Sequence, residues 1–259
     1  MTKLFLLIFT SILVLFKASM AEDLEDYINK GHVEVLVEAL KYSDASMFDE
    51  AKNEIKDTNN ENLLLFIKWL KLREGEGSFL EYSEFLKYHE HWPQQRLLKK
   101  LGELSIDESV KRRDIQTFFK VGADCKKLKE VSSRLYEDDC LPQTAQGSIA
   151  LLQTLNANTN TEFFNEVLEK LVVRQIVTDK QWSYLNTYHK SKLAEMATQR
   201  FKHFKKKSDL NELDRISIFL DEKELKILKS VKQYKEIKKL SKNFTYKAKD
   251  FNDVGVAYD

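Results

Sequence analysis

Apolar residues recur at helical spacing from Glu22 to the end of the chain, with breaks about every 10 to 18 residues. The clearest one-faced pattern runs from Phe163 to Val172, and its first turn holds an acidic residue. Residues 62–72 carry apolar side chains around most of the circumference, so we expect this helix to be buried among several others. A leucine stripe at 97–104 follows Pro93, which we place in the first helical turn. Strand-like alternation is not sustained anywhere, and the pattern predicts an all-α fold.

Further helices are predicted at 33–42, 47–55, 79–88, 114–121, 147–155, 192–204, 210–219 and 222–240. Short polar connections join them, and such connections are typical of antiparallel helix pairs that stack on their neighbours. We therefore expect an α-solenoid, or superhelix, with tetratricopeptide-like packing, although the signature residues of that repeat are missing. A compact helical bundle is the alternative.

Composition agrees with a helical globule. The 259 residues include only 7 Gly and 2 Pro, too few for a sandwich, a barrel or a phosphate-binding Gly-rich loop. The 32% of charged residues exclude a chain that crosses a membrane many times. The net charge of +1 argues against a dedicated nucleic-acid binder. Residues 22–90 are nevertheless acidic and residues 200–249 basic, either as solvated helix faces or as a surface for a polyanion or a protein partner.

The first 21 residues read as a secretory signal peptide. Lys3 precedes an apolar run from Leu4 to Phe16, and Ser19 and Ala21 place small residues at the peptidase site. We predict cleavage after Ala21, a mature domain from Glu22 to Asp259, and no membrane attachment after cleavage. An uncleaved anchor is the alternative, but the apolar run is shorter than the roughly 20 residues that span a bilayer.

The chain has two cysteines, Cys125 and Cys140. In an exported protein, two cysteines 15 positions apart are disulfide candidates, and a bridge of that size would contribute roughly 3 kcal/mol. Two reduced, partly buried thiols are the alternative. Neither cysteine lies in a Cys-x-x-Cys motif or near a histidine at ligand spacing, so we predict no metal site here.

The sequence offers few candidates for catalysis, and we predict neither a cofactor nor a metal. His89 and His91 are two positions apart and would lie on different faces of a helix. Tyr82, Phe85 and Tyr88 could stack on sugar rings in a groove, but their helical spacing favours core packing.

One set of motifs resembles a known family. Residues Lys68-Trp-Leu-Lys-Leu-Arg73, Glu81-Tyr82, Glu84-Phe-Leu86, His91-Trp-Pro-Gln-Gln-Arg-Leu-Leu98 and Gly102-Glu103 look like the N-terminal superhelical region of soluble lytic murein transglycosylases, especially those of alphaproteobacteria. Three later segments resemble this family in the right order: Leu141-Pro-Gln-Thr-Ala-Gln-Gly147, the helix from His189 to Phe204, and Val254-Gly-Val-Ala-Tyr-Asp259. The motif positions expected to be structural are Trp69, Arg73, Tyr82, Phe85, Trp92, Pro93 and Glu103.

The resemblance implies a U-shaped or ring-like helical superhelix in the periplasm that accompanies cleavage of peptidoglycan glycan strands. In this family a separate C-terminal lysozyme-like domain carries the catalytic glutamate. The family's Glu-Ser motif has an apolar helix and a Gly-Leu-Met-Gln segment after it, whereas Glu108-Ser109 is followed by Val-Lys-Arg-Arg. We therefore assign no catalytic residue, and we expect the superhelical part of such an enzyme, truncated within a helix. A free-standing periplasmic solenoid that scaffolds an envelope protein complex is the alternative.

Overall fold

The structure, a computed structural model, describes residues 30–155 and 161–253. The predicted signal peptide, its cleavage site and the family-like segment at 254–259 lie outside these residues. The two ranges are all-α, with fourteen α-helices, one short 3-10 helix and no strand. In chain order the α-helices are α1 (Lys30–Asp44), α2 (Phe48–Lys56), α3 (Glu61–Arg73), α4 (Phe79–Tyr88), α5 (Gln95–Leu104), α6 (Arg112–Phe118), α7 (Ala123–Val131), α8 (Ser133–Asp139), α9 (Ala145–Thr154), α10 (Thr161–Arg174), α11 (Asp179–Tyr188), α12 (Lys190–Lys207), α13 (Leu210–Ile216) and α14 (Glu222–Asp253).

The chain divides into two compact units, and the division falls between Tyr82 and Ser83, inside α4. In the first unit, α1, α2 and α3 pack against one another. Ala39, Ala51 and Ile55 are fully buried there because they lie on the inward faces of these helices. Asn60 begins α3 as its N-cap: its side-chain oxygen accepts hydrogen bonds from the backbone N–H groups of Asn62 and Leu63, at 3.0 and 3.3 Å.

In the second unit, α9 contacts four other helices: α5, α6, α10 and α11. Its buried residues lie around most of its circumference, as expected of a helix enclosed by others. In the C-terminal part, α12 packs against both α10 and α13. A core of Phe201, Phe204, Leu213 and Leu228 fixes the start of α14 against α12 and α13.

The helical pattern located most of these elements within two or three residues, but several details differ. Helices α7, α8 and α11 were not predicted, because their apolar residues are too few or too irregular for a stripe. Helix α14 continues to Asp253, well past the predicted end at Leu240. Pro93 is not in the first turn of α5, because Gln94 adopts a left-handed backbone conformation (φ 62°) and the helix starts at Gln95.

No helix within residues 30–155 and 161–253 combines the length and the apolar character needed to cross a membrane.

Candidate functional site

The Trp69 and Tyr82 motifs build the core of the first unit. Trp69 is buried, and the Arg73 guanidinium lies 5.1 Å from the centroid of its ring. The Tyr82 hydroxyl donates a hydrogen bond of 2.8 Å to the carbonyl oxygen of Leu72, and burial raises the pKa of this tyrosine. Gly77 allows this close approach, because a Cβ there would lie 2.3 Å from the Leu72 side chain and 2.9 Å from the Tyr82 ring. These motif residues therefore hold α3 and the start of α4 together.

The Phe85 and Trp92 motif packs within the second unit. Phe85 is fully buried, and the half-buried Trp92 ring meets it edge to face with the centroids 5.8 Å apart. Gln95 donates hydrogen bonds to the carbonyl oxygens of His89 and Trp92, which fixes the turn that contains the exposed Pro93. The prediction of core packing is wrong for Tyr88, whose side chain is 64% exposed at the end of α4.

Glu103 is a buried carboxyl group that joins two of the family-like segments. Its oxygens accept hydrogen bonds from the backbone N–H groups of Gln143 and Thr144, at 2.7 to 2.9 Å, and from the Thr144 hydroxyl at 2.8 Å. A Cβ at position 147 would lie 2.6 Å from Glu103 Oε2, so Gly147 is required for this packing. The Gly102-Glu103 pair and the Pro-x-Thr-x-x-Gly segment thus form one structural centre.

Lys99 lies one turn before Glu103 on α5 and shares its buried environment. Its ammonium donates to the carbonyl oxygen of Asp138 and lies 5.6 Å from the Phe119 ring centroid. Burial raises the pKa of Glu103 and lowers the pKa of Lys99 to about 8, despite the attraction between the two charges. Both side chains are therefore held in the core at an electrostatic cost.

A carboxyl group with a raised pKa is a candidate general acid, but Glu103 cannot reach a substrate. Its side chain is 0% exposed, and both oxygens already accept hydrogen bonds from the segment before α9. A general acid must contact the glycosidic oxygen of a bound sugar. We therefore assign Glu103 a structural role.

Glu108, the other glutamate considered, lies exposed between α5 and α6. Its neighbour Asp107 accepts hydrogen bonds from the backbone and hydroxyl of Ser109, at 2.8 and 2.6 Å, which orders this turn. Such a turn lacks the shielded pocket that keeps a catalytic carboxyl protonated near neutral pH.

Cys125 and Cys140 are joined by a disulfide in the structure. Cys125 lies in the first turn of α7, and Cys140 directly follows the last residue of α8. The disulfide therefore links the N-terminal end of α7 to the C-terminal end of α8. Both cysteines are buried, at 4% and 0% exposure.

A second buried centre lies on α12, in the His189–Phe204 segment for which the sequence indicates a resemblance to the family. Arg200 is fully buried on α12, where it pairs with the carboxylate of Glu212 on α13. Its guanidinium also donates to the carbonyl oxygens of Val172 and Gln175, near the end of α10. Because the last carbonyls of a helix have no partner within the helix, Arg200 caps α10 while holding α12 and α13 to it. Periodicity could not identify Glu212 as the partner of this arginine.

The described residues contain no group of three or more His, Cys, Asp or Glu side chains that could hold a metal ion. His89 packs on Phe85 with the ring centroids 4.9 Å apart, whereas His91 is exposed. The two rings therefore do not converge on one site.

An open cleft of about 490 Å³ lies beside the Glu103 centre. Arg96, Leu97 and Lys100 on α5, Lys170 on α10, and Gln143 line it. The backbone of Gln143 donates to Glu103, so the floor of the cleft is fixed by the buried centre. Sequence reasoning did not find this cleft, because its residues come from three separate segments with no shared motif.

No protein-family model, curated protein or solved structure matches the chain.

Proposed function

We propose that this chain is the non-catalytic, superhelical part of a periplasmic lytic murein transglycosylase, and that it binds peptidoglycan without cleaving it. The all-α fold fits this function, and a solenoid of stacked helix pairs is the arrangement we propose for it. Export through the signal peptide would place the mature chain in the compartment that contains peptidoglycan.

The observation that carries the proposal is the centre around Glu103. The Gly102-Glu103 pair and the Leu141–Gly147 segment resemble separate motifs of the same family, and in the structure they pack directly on each other. If the two motifs resembled the family only by chance, we would not expect them to pack on each other, because they are 40 residues apart in the sequence. The buried positions of Trp69, Tyr82 and Phe85 support the same structural role for the other motifs.

Co-sedimentation tests the proposal. The purified chain is mixed with insoluble peptidoglycan and, as the matched control, with chitin, which shares the N-acetylglucosamine backbone but lacks peptide stems. We expect the chain to sediment with peptidoglycan and not with chitin. A chain that stays in the supernatant with both polymers would contradict the proposal.

One observation favours the alternative, a free-standing scaffold for an envelope complex. On α14 the side chains of Tyr234, Ile237 and Leu240 are 65%, 64% and 60% exposed and recur at helical spacing. Cross-linking from position 237 in cells separates the two functions. Under the scaffold function one partner protein is captured and the Ile237→Glu variant loses it, whereas under our proposal this variant sediments with peptidoglycan like the parent.

A further inference from the structure

The polar lining of the cleft next to Glu103 consists of hydrogen-bond donors. Arg96 and Lys100 lie four residues apart on α5, and Lys170 faces the same cleft from α10. The fourth polar residue is Gln143, and Leu97 supplies an apolar surface that is 39% exposed. No carboxylate from residues 30–155 or 161–253 lines the cleft. A ligand that fits this set must supply negatively charged acceptors.

Two of these donors lack a partner among the described residues. The Nε2 atom of Gln143 is buried and has no hydrogen-bond acceptor. Lys170 forms no ion pair within 4.0 Å with any described carboxylate. Because the Gln143 Nε2 atom is enclosed, it cannot reach a ligand in the cleft, whereas the Lys170 ammonium at the cleft wall can.

Among the described residues, the carboxylates near the cleft pair with Arg96 but leave Lys100 and Lys170 without an ion pair. Asp138 lies 3.6 Å from Arg96 and 4.0 Å from Arg134, and Glu103 is occupied by the segment before α9. Burial lowers the pKa of Lys170, and Arg174 adds to this effect, although Glu103, Glu137 and Asp138 oppose it. The ammonium of Lys170 is therefore partly desolvated without full compensation, and a bound anion would restore its stability.

We propose that this cleft binds a compact ligand through its carboxylate groups and, resting on the proposed function, that this ligand is the peptide stem of peptidoglycan. Lys100 and Lys170 bind the carboxylates from opposite walls. Leu97, which is 39% exposed, contacts an aliphatic part of the stem. The volume of the cleft is in the range usual for small-ligand sites.

Calorimetric titration of the purified chain with the stem tetrapeptide L-alanyl-D-isoglutamyl-meso-diaminopimelyl-D-alanine tests the site. We expect saturable binding that weakens at least tenfold in the Lys100→Gln/Lys170→Gln double variant and is largely kept in Lys100→Arg/Lys170→Arg. Lys202→Gln, which removes an exposed charge on α12, is the matched control and should bind like the parent. Thermal melts should show that every variant is folded. Because Lys170→Gln removes a partly desolvated charge, the double glutamine variant should not melt below the parent.

Two further ligands test whether the cleft recognises the carboxylate groups of the peptide or any small anion. The same tetrapeptide with its carboxyl groups amidated should not bind, and inorganic phosphate should bind at least tenfold more weakly than the peptide. Equal binding of the amidated peptide, equal or tighter binding of phosphate, or no effect of the double lysine variant would overturn the proposal.

The proposed function can fail separately. If the chain sediments with peptidoglycan but does not bind the tetrapeptide, the cleft proposal alone is wrong. If the tetrapeptide binds as expected but the chain does not sediment with peptidoglycan, the cleft binds carboxylates and the proposed function is wrong.

Discussion

Glu103 is the residue on which most of the structural account depends. It sits on α5, but its hydrogen-bond donors come from the segment that starts α9, so its carboxyl group connects parts of the second unit that are 40 residues apart. A buried carboxyl group with several donors is difficult to replace, because each donor would lose its acceptor.

The first prediction concerns this carboxyl group. Glu103→Ala should lower the free energy of unfolding by about 3 kcal/mol or more, because it leaves the donors of Gln143 and Thr144 without an acceptor and removes the charge that attracts the buried Lys99 ammonium. Urea denaturation measures the change. Glu108→Ala, five residues away and exposed, is the control and should change stability by no more than about 0.5 kcal/mol. Equal effects of the two substitutions would contradict the assigned role of Glu103.

The second prediction concerns the pH dependence that Lys99 introduces. Burial lowers its pKa from the ordinary value of 10.5 to about 8. Below pH 8 Lys99 is protonated in both the folded and the unfolded state, so the folded state bears the whole cost of the buried ammonium. Between pH 8 and 10.5 the folded state releases the proton while the unfolded state keeps it, so stability rises with pH, by on the order of 2 to 3 kcal/mol in total.

Comparison with Lys99→Met isolates this effect, since all other titrating groups are shared. The parent should gain stability relative to Lys99→Met as the pH is raised from 8 to 10.5, measured by urea denaturation at several pH values. A difference between the two proteins that stays constant over this range would show that Lys99 is not desolvated in the folded state.

The third prediction compares two aromatic residues of α4. Phe85 is 0% exposed, so Phe85→Ala should cost about 3 to 5 kcal/mol by removing a buried ring that contacts Trp92. Tyr88→Ala, at a position 64% exposed, should change stability little. A Phe85→Ala variant that melts like the parent but loses peptidoglycan binding would instead identify a binding face.

At the scale of elements, hydrophobic periodicity predicted helices best where the apolar stripe is regular. The stripe from Phe163 to Val172 became α10, and the pattern at residues 79–88 matches α4 at both ends. Helices α7 and α8, nine and seven residues long, were missed because their apolar residues are too few or too irregular to form a stripe. So short a helix is marginal alone and is stabilised mainly by its tertiary contacts, which periodicity does not report.

The sites were less predictable than the helices. Glu103 was marked by the resemblance alone, because nothing in its local sequence indicates that its partners are Gln143 and Thr144. The cleft could not be predicted at all, since Lys100 and Lys170 are brought together only by the packing of α5 and α10 around α9. Contacts between residues so far apart in the sequence depend on the whole fold.

The fourth prediction belongs to the α7–α8 pair. The Cys125–Cys140 disulfide closes a loop of 15 residues, so its loss in Cys125→Ser/Cys140→Ser should cost roughly 3 kcal/mol in urea denaturation. Alkylation without reductant should label neither cysteine in the parent. Adding reductant should destabilise the parent and leave the double variant unchanged. Quantitative labelling of both thiols would show that the bridge does not form.

At the scale of the whole molecule, the described residues are all-α, and the motif residues Trp69, Tyr82, Phe85 and Glu103 are buried in the core. The buried carboxyl groups of Glu103 and Glu212 hold helices together, and the exposed Glu108 lies in a turn. The cleft beside Glu103 presents ammonium and guanidinium groups, which bind anions but do not protonate a glycosidic oxygen as a shielded carboxylic acid does. We therefore expect binding without bond cleavage.

The central claim is tested most directly by incubating the purified chain with insoluble peptidoglycan and measuring two quantities together: the protein retained in the pellet and the muropeptides released into solution. The account predicts retained protein and no release above the level of a buffer control. Release of 1,6-anhydro-muropeptides that is abolished by Glu108→Gln would contradict it, because a catalytic glutamate would then lie in this chain.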